Sequence, residues 1–223
     1  MVKKMLVVGS LLLVSLSSSA YELKVPKLGD DKGAAASGNI EADVADFVGK
    51  TTQMRDIAYN SMLTIVAAYA DEKELAALKA KDEEISKKTD PKENGAAKAA
   101  QIKTLEAKAA EIKNRKDIVE KTKALSADQQ KKIATSLFNF AIAALNAPVL
   151  MDKGQKIISG ASLTNAMKIL PVKDGLPMLA DFVKYGAGTI GGFVSIAKGA
   201  SVDVKASTAT SSPENVNPFP SAN

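Results

Sequence analysis

From residue 40 onward, the sequence repeats apolar or small side chains at alternating spacings of three and four: Ile40, Val44, Phe47, Thr51, Met54, Ala58, Met62, Ile65 and Tyr69. This spacing puts them on one face of an α-helix. Proline, which would break such a helix, is absent between Val44 and Asp90. The pattern therefore predicts one helix over residues 40–88, roughly 70 Å long at about 1.5 Å per residue.

Capping patterns indicate where helices begin. Asn39 or Ser37 is a suitable N-cap for the first helix, because a short polar side chain can accept bonds from the exposed N–H groups of the first turn. Residues 90–93 read Asp-Pro-Lys-Glu, an N-cap followed by proline at the first helical position, although Asn94-Gly95 leaves open a slightly later start. Residues 126–129 form a third capping pattern, Ser-Ala-Asp-Gln.

The apolar stripe thins beyond Asp71, where charged residues separate Leu75, Leu78 and Ile85. The second helix, predicted to end near Lys123, has its own apolar positions. Two helices joined by a short turn pack antiparallel. We therefore expect a long hairpin whose outer part, about residues 72–113, is a charged, coiled-coil-like arm.

The remaining helices should form a compact base for this arm. Residues 133–151 carry no charge, which predicts a central helix that Pro148 ends or kinks. A short helix over residues 163–170, stopped by Pro171, should precede a glycine-rich last helix over residues 177–198. The predicted fold class is thus all-α, a helical bundle over residues 39–200.

The two ends of the chain have a different composition. Lys3 and Lys4 precede an apolar stretch at residues 5–16, and small residues follow up to Ala20, as in a signal peptide cleaved after that residue. Residues 21–38 are rich in glycine and small side chains, which is typical of a flexible leader. The polar composition of residues 201–223 predicts a disordered tail.

The signal peptide predicts export to the periplasm, the cell surface or the medium. The sequence contains no cysteine. A bacterial lipoprotein carries its lipid on a cysteine at the cleavage site, so we expect a protein that is not a lipoprotein. Disulfides are excluded by the same count, and the chain must rely on packing for its stability.

The composition also restricts catalysis. Histidine is absent as well, which removes histidine acid–base chemistry and the usual zinc ligand sets. Ser195 and Lys198 match the Ser-x-x-Lys spacing, but its companion motifs are missing. The acidic clusters at residues 71–74 and 82–84 lack calcium-loop spacing and contain or adjoin lysines. We expect no enzyme, and no catalytic, cofactor-binding or metal site.

Charge argues against nucleic acid as a partner. The formal net charge of +5 falls to +3 once Lys3 and Lys4 are removed, and acids are interleaved with the lysines. Nucleic-acid-binding proteins concentrate basic residues on one face, and single strands stack on aromatic side chains, which are only 4% of this chain.

Two apolar segments leave a membrane role open. Gly188 and Gly192 have the G-x-x-x-G spacing that allows close helix packing, in membranes or in tight soluble bundles. The uncharged run 133–151 is long enough to cross a bilayer, but it contains Asn139 and Asn146, and Pro148 lies near its end.

We therefore expect an exported, non-enzymatic protein with an interaction, chaperone-like or structural role in the cell envelope, binding a partner protein through the arm at residues 72–113. The alternative is a soluble helical protein that binds or conditionally inserts into membranes, or carries a hydrophobic ligand. Its inserting or cavity-lining parts would be residues 133–151 and the glycine-rich last helix.

Overall fold

The computed structural model describes residues 39–219. The predicted signal peptide, leader and last four residues of the tail lie outside this range. Within it the protein is all-α, as predicted, and no residue is in a β-strand. Its helices are α1 (Ile40–Ala68), α2 (Glu72–Ser86), α3 (Pro91–Lys113), α4 (Ile118–Ala124), α5 (Ala127–Gly160), α6 (Leu170–Tyr185) and α7 (Gly191–Gly199). A 3₁₀ turn spans Leu163–Asn165, and a π-helical turn spans Gly186–Ile190.

Three predicted helix starts are confirmed by their hydrogen bonds. The Asn39 side chain accepts from the first two N–H groups that follow Ile40, at 3.1 and 3.3 Å. Asp90 accepts from two N–H groups of α3, at 2.9 and 2.8 Å. Ser126 and Gln129 form a reciprocal capping box at the start of α5. These side chains satisfy backbone donors that the helices leave open.

The prediction of one helix over residues 40–88 is wrong, because the chain turns between Ala68 and Glu72. Asp71 caps the new helix by accepting a bond from the Glu74 N–H at 2.8 Å. The turn lets α2 fold back along α1, where the buried Tyr59 donates its hydroxyl hydrogen to Asp82 at 2.8 Å. The apolar faces of α1 and α2 thus pack against one another, and the chain does not form a single long helix.

The long antiparallel hairpin with its projecting arm is not confirmed. Helix α3 lies along α1, and its Lys98 forms an ion pair with Asp56 of α1 at 3.0 Å. The apolar side chains expected at the arm's seam, Ile85, Leu105 and Ala109, are fully buried in the common core. Burying apolar surface stabilises a protein by roughly 25 cal/mol per Å². This gain favours the docked arrangement over a free arm.

Helix α5 occupies the centre of the bundle, as its uncharged sequence predicts. It runs antiparallel to α1: Lys153 near its end pairs with Asp46 near the start of α1 at 2.7 Å. Pro148 does not end it, since buried Leu150 and Ile157 continue its core face beyond the proline. Helix α6 packs on α5, with the Phe140 and Phe182 rings 5.4 Å apart.

The end of the described chain differs from two predictions. In place of a helix over residues 163–170 there is a 3₁₀ turn, and Pro171 lies in the first turn of α6, where its missing N–H is not needed. Beyond α7 the chain turns at Ser201, whose φ is 61°. Residues 202–219 form no helix, yet Val202 and Val204 are buried, so this segment is packed and not a disordered tail.

Candidate functional site

Ser195 is not arranged as a nucleophile. It is exposed on α7, and its hydroxyl donates to the backbone carbonyl of Gly191 at 3.0 Å. A general base would have to lie within hydrogen-bond reach of that hydroxyl. The partner of the hydroxyl is instead a carbonyl one helical turn earlier, which gives Ser195 a local structural contact.

The acidic clusters have structural roles. Asp71 caps α2, Asp82 accepts the bond from Tyr59, and Glu84 pairs with Lys81 at 2.7 Å. Among residues 39–219, no group of three or more metal-ligating side chains converges. Glu74 of the first cluster pairs with Lys108 of α3 at 3.6 Å, so each cluster has an acid that forms an ion pair with a lysine.

The glycine-rich region makes room for a lysine of α3. A Cβ atom on Gly192 would lie 2.3 Å from Cδ of Lys113, so only glycine fits beneath that side chain as it stands. The Lys113 ammonium donates to the Gly188 carbonyl at 3.3 Å. The Lys113 side chain thus lies across the two glycines of the G-x-x-x-G pattern.

Helix α5 is the one described helix long and apolar enough to cross a membrane. Most of its apolar window is buried inside the bundle, which is also the property of a core helix in a soluble protein.

The main site candidate is the surface that holds residues 207–219. We call it the tail groove, and define it by four side chains: Lys79 of α2 and Lys132, Asn139 and Asn146 of α5. Asn139 accepts from the Glu214 N–H at 2.7 Å and donates to the Glu214 carbonyl at 2.6 Å. It therefore forms hydrogen bonds with both backbone groups of one residue, as a neighbouring β-strand would.

Two further bonds extend this contact along α5. Asn146 donates to the Ala209 carbonyl at 3.0 Å, and the Lys132 ammonium donates to the Phe219 carbonyl at 3.0 Å. Residues 132, 139 and 146 are spaced by seven, or about two helical turns, so they lie on one side of α5. Asn139 and Asn146 are only 4% and 5% exposed. The chain end runs antiparallel to α5 along this row.

The far end of the groove receives a proline and an aromatic ring. Pro218 borders a residual space of about 10 Å³ together with Thr64, Ala68 and Lys132, too small to hold a water molecule comfortably. The Phe219 ring packs against the core, with the Lys79 ammonium 5.8 Å from its centre. This distance is within the range of a cation–π interaction.

A lysine holds the side chain of the gripped residue. Lys205 forms an ion pair with Glu214, and its ammonium also lies 5.7 Å from the centre of the Phe138 ring of α5. Val202 and Val204, just before this lysine, are buried in the core. Lys205 is thus fixed to the bundle, whereas residues 207–219 lie along its surface.

A cavity of about 640 Å³ lies between this segment and α1. Its lining includes Gln53 and Ile57 of α1, Lys98 of α3, and Asn139 and Val216 beside the groove. Cavities of 300–1,000 Å³ are the usual size of ligand sites. The side chains of the protein's own tail therefore leave much of this part of the groove unfilled.

A second, smaller cavity of about 150 Å³ lies between α3 and α6. Glu106 and Asp181 both line it. Burial, together with the nearby Asp181 carboxylate, raises the pKa of Glu106 to about 7, against the opposing effect of Lys103. The carboxylate form of Glu106 is thus disfavoured in this cleft.

These features define a helical bundle that holds a non-helical segment of its own chain in a surface groove. No protein-family model, curated protein or solved structure matches the chain.

The sequence contains one signal for this groove. Asn139 and Asn146 are seven residues apart, and the six residues between them are all apolar. Buried amides need hydrogen-bond partners, and that spacing places both on one side of the helix. The sequence does not identify the partner, because the bonded residues lie 63 and 75 positions further along the chain.

Proposed function

We propose that this is an exported, non-enzymatic protein of the cell envelope that binds an extended polypeptide segment of a partner protein in the tail groove. In the resting state, residues 207–219 of its own chain occupy that groove and compete with the partner. The observation that carries this proposal is the double hydrogen bond between Asn139 and the backbone of Glu214.

The contacts made by Asn139, Asn146 and Lys132 support binding in trans because all three go to the backbone of the bound segment. Backbone groups are the same in every residue except proline, so another extended chain can form the same bonds. Peptide recognition by strand addition obtains its affinity in this way.

The exposure pattern of the segment supports the same proposal. Residues 214, 216 and 218 are partly buried, whereas residues 215 and 217 are exposed. This alternation is that of an extended chain lying on a surface. The cavity of about 640 Å³ beside Val216 also indicates that a segment with larger side chains fits the groove.

The export and non-enzymatic parts of the proposal rest on the sequence. The first twenty residues have the composition of a signal peptide, and histidine and cysteine are absent. The partner surface is proposed at the groove and not on residues 72–113, because those helices bury their apolar faces against α1.

Binding of a labelled peptide with the sequence of residues 207–219 tests the proposal. The receptor is the full-length exported protein with Glu214→Pro, which removes the N–H that Asn139 accepts and so frees the groove. We expect fluorescence anisotropy to show saturable binding to this variant and at least tenfold weaker binding to the wild type, whose own segment competes.

The matched control adds Asn139→Leu to the Glu214→Pro protein. Loss of binding in this double variant supports recognition through the groove. Equal binding with and without Asn139, or no binding to the Glu214→Pro protein, contradicts the proposal.

A second candidate function, contact with a membrane surface, is favoured by one observation. At the corner between α5 and α6, Leu163 is 97% exposed and Met167 is 78% exposed. Exposed apolar groups of this size often mark an interaction surface. Co-sedimentation with liposomes, compared between the wild type and a Leu163→Ser/Met167→Ser variant, tests it; absence of binding at neutral and acidic pH removes this candidate.

A further inference from the structure

We infer that the tail groove selects a partner segment with an acidic residue followed, four and five positions later, by proline and an aromatic residue. This inference rests on the proposed function and names the chemistry of its partner. The protein's own segment has this arrangement at Glu214, Pro218 and Phe219.

Asn139 holds one residue of the bound chain at a fixed point. It bonds to the N–H and the carbonyl of a single residue, Glu214. Because any residue except proline can form these two bonds, the side-chain contacts on either side decide which residue lies at that point. Side chains at fixed distances from it then reach fixed places on the bundle.

At the gripped residue, the groove presents a positive charge. The Lys205 ammonium pairs with the Glu214 carboxylate and is held against the Phe138 ring. Lys205 follows the buried Val204, so it remains in place when residues 207–219 leave. An acidic side chain is therefore favoured at this position of any segment bound in the same register.

Four residues further on, the groove fits a compact ring. The residual space beside Pro218 is about 10 Å³, and it is bordered by Ala68 and Lys132. The chain bends at Pro218 and Phe219, and the Phe219 N–H donates back to the Asn217 side chain at 3.1 Å. The fixed φ of proline restricts the chain at this bend.

At the next residue, the groove offers an aromatic site with a cation above it. The Phe219 ring packs against the core below the Lys79 ammonium, while Lys132 bonds to the carbonyl of the same residue. An aliphatic side chain would keep part of the apolar contact but would lose the cation–π attraction. Together, these three positions define the preferred segment.

Peptide variants measured against the same Glu214→Pro receptor test this inference. Relative to the peptide of residues 207–219, we expect about fivefold weaker binding for Glu214→Gln, about threefold weaker for Pro218→Ala and about tenfold weaker for Phe219→Ala. The control peptide carries Ser212→Ala at an exposed position and should bind as the parent does.

Receptor variants separate the cation–π contact from general charge. Adding Lys79→Met should weaken the parent peptide severalfold but leave the Phe219→Ala peptide unchanged, whereas Lys73→Met, on the exposed part of α2, should change neither. If the parent peptide binds but all peptide variants bind equally well, the preferred segment is wrong, while the proposal that the groove binds a peptide still holds. If the parent peptide does not bind, the proposed function fails first.

Discussion

Replacing Asn139 by leucine should release the end of the chain without unfolding the bundle. The substitution removes two hydrogen bonds to Glu214, at 2.7 and 2.6 Å. A hydrogen bond contributes about 1 kcal/mol net, so the held state should lose about 2 kcal/mol relative to the released state. This corresponds to a roughly 30-fold larger fraction of molecules with a free end, since about 1.4 kcal/mol is a factor of ten.

A glutamate-specific protease measures that fraction, because its cleavage site at Glu214 lies on the gripped backbone. When opening and closing are fast compared with cleavage, the initial rate is proportional to the open population. We therefore expect cleavage after Glu214 to be about 30-fold faster in Asn139→Leu than in the wild type. Helical glutamates such as Glu111 provide an internal control within the same digest.

Asn146→Leu is the matched variant. It removes one bond to the segment, from the Asn146 amide to the Ala209 carbonyl at 3.0 Å, and should accelerate cleavage only about fivefold. The urea midpoint of the bundle should change little in either variant, because leucine replaces a buried amide with an apolar group of similar size. Cleavage rates within twofold of the wild type in Asn139→Leu would refute the proposed grip.

Three other predictions concern the bundle. Gly154→Ala should lower the free energy of unfolding by about 1–3 kcal/mol, since the new Cβ would lie 2.7 Å from a buried phenylalanine ring. Gly49→Ala has open space around the new Cβ and should raise the free energy of unfolding by up to about 1 kcal/mol. Urea denaturation measures both changes. Glu106 has its pKa raised to about 7 in the folded protein, so it binds a proton more tightly there than in the unfolded chain. The wild type should therefore lose stability as pH rises from about 4.5 to 7, and Glu106→Gln should reduce that loss. Tyr59→Phe should cost about 1–2 kcal/mol and speed hydrogen exchange in α2, because the bond to Asp82 is lost; an unchanged exchange rate there would contradict its role in docking α2.

The local parts of the fold could be predicted from the sequence because their causes are local. The caps at Asn39, Asp90 and Ser126 depend on residues within one turn, and all three are present. The break before Asp71 is not predicted by the apolar spacing, although Asp71 is a suitable N-cap and accepts a bond from the Glu74 N–H. Whether a helix continues or folds back there depends on the packing of α2 on α1, which no local pattern encodes.

The groove was harder to predict for the same reason. Polar composition predicts a disordered tail over residues 201–223, but it does not show whether such residues are bound to the rest of the chain. Their order comes from Asn139, Asn146 and Lys132, which are distant in sequence. The two amides are visible in the sequence as polar residues among apolar ones. Their partners are backbone groups, which carry no sequence signature.

The contact between the chain end and α5 also has a consequence for the order of folding. Residues 207–219 follow α1 to α7 in the chain, so the helices that form the groove are synthesised before the segment that fills it. Folding during synthesis begins from the N-terminal side. If the groove forms before residues 207–219 dock, a ligand present at that moment meets no competitor.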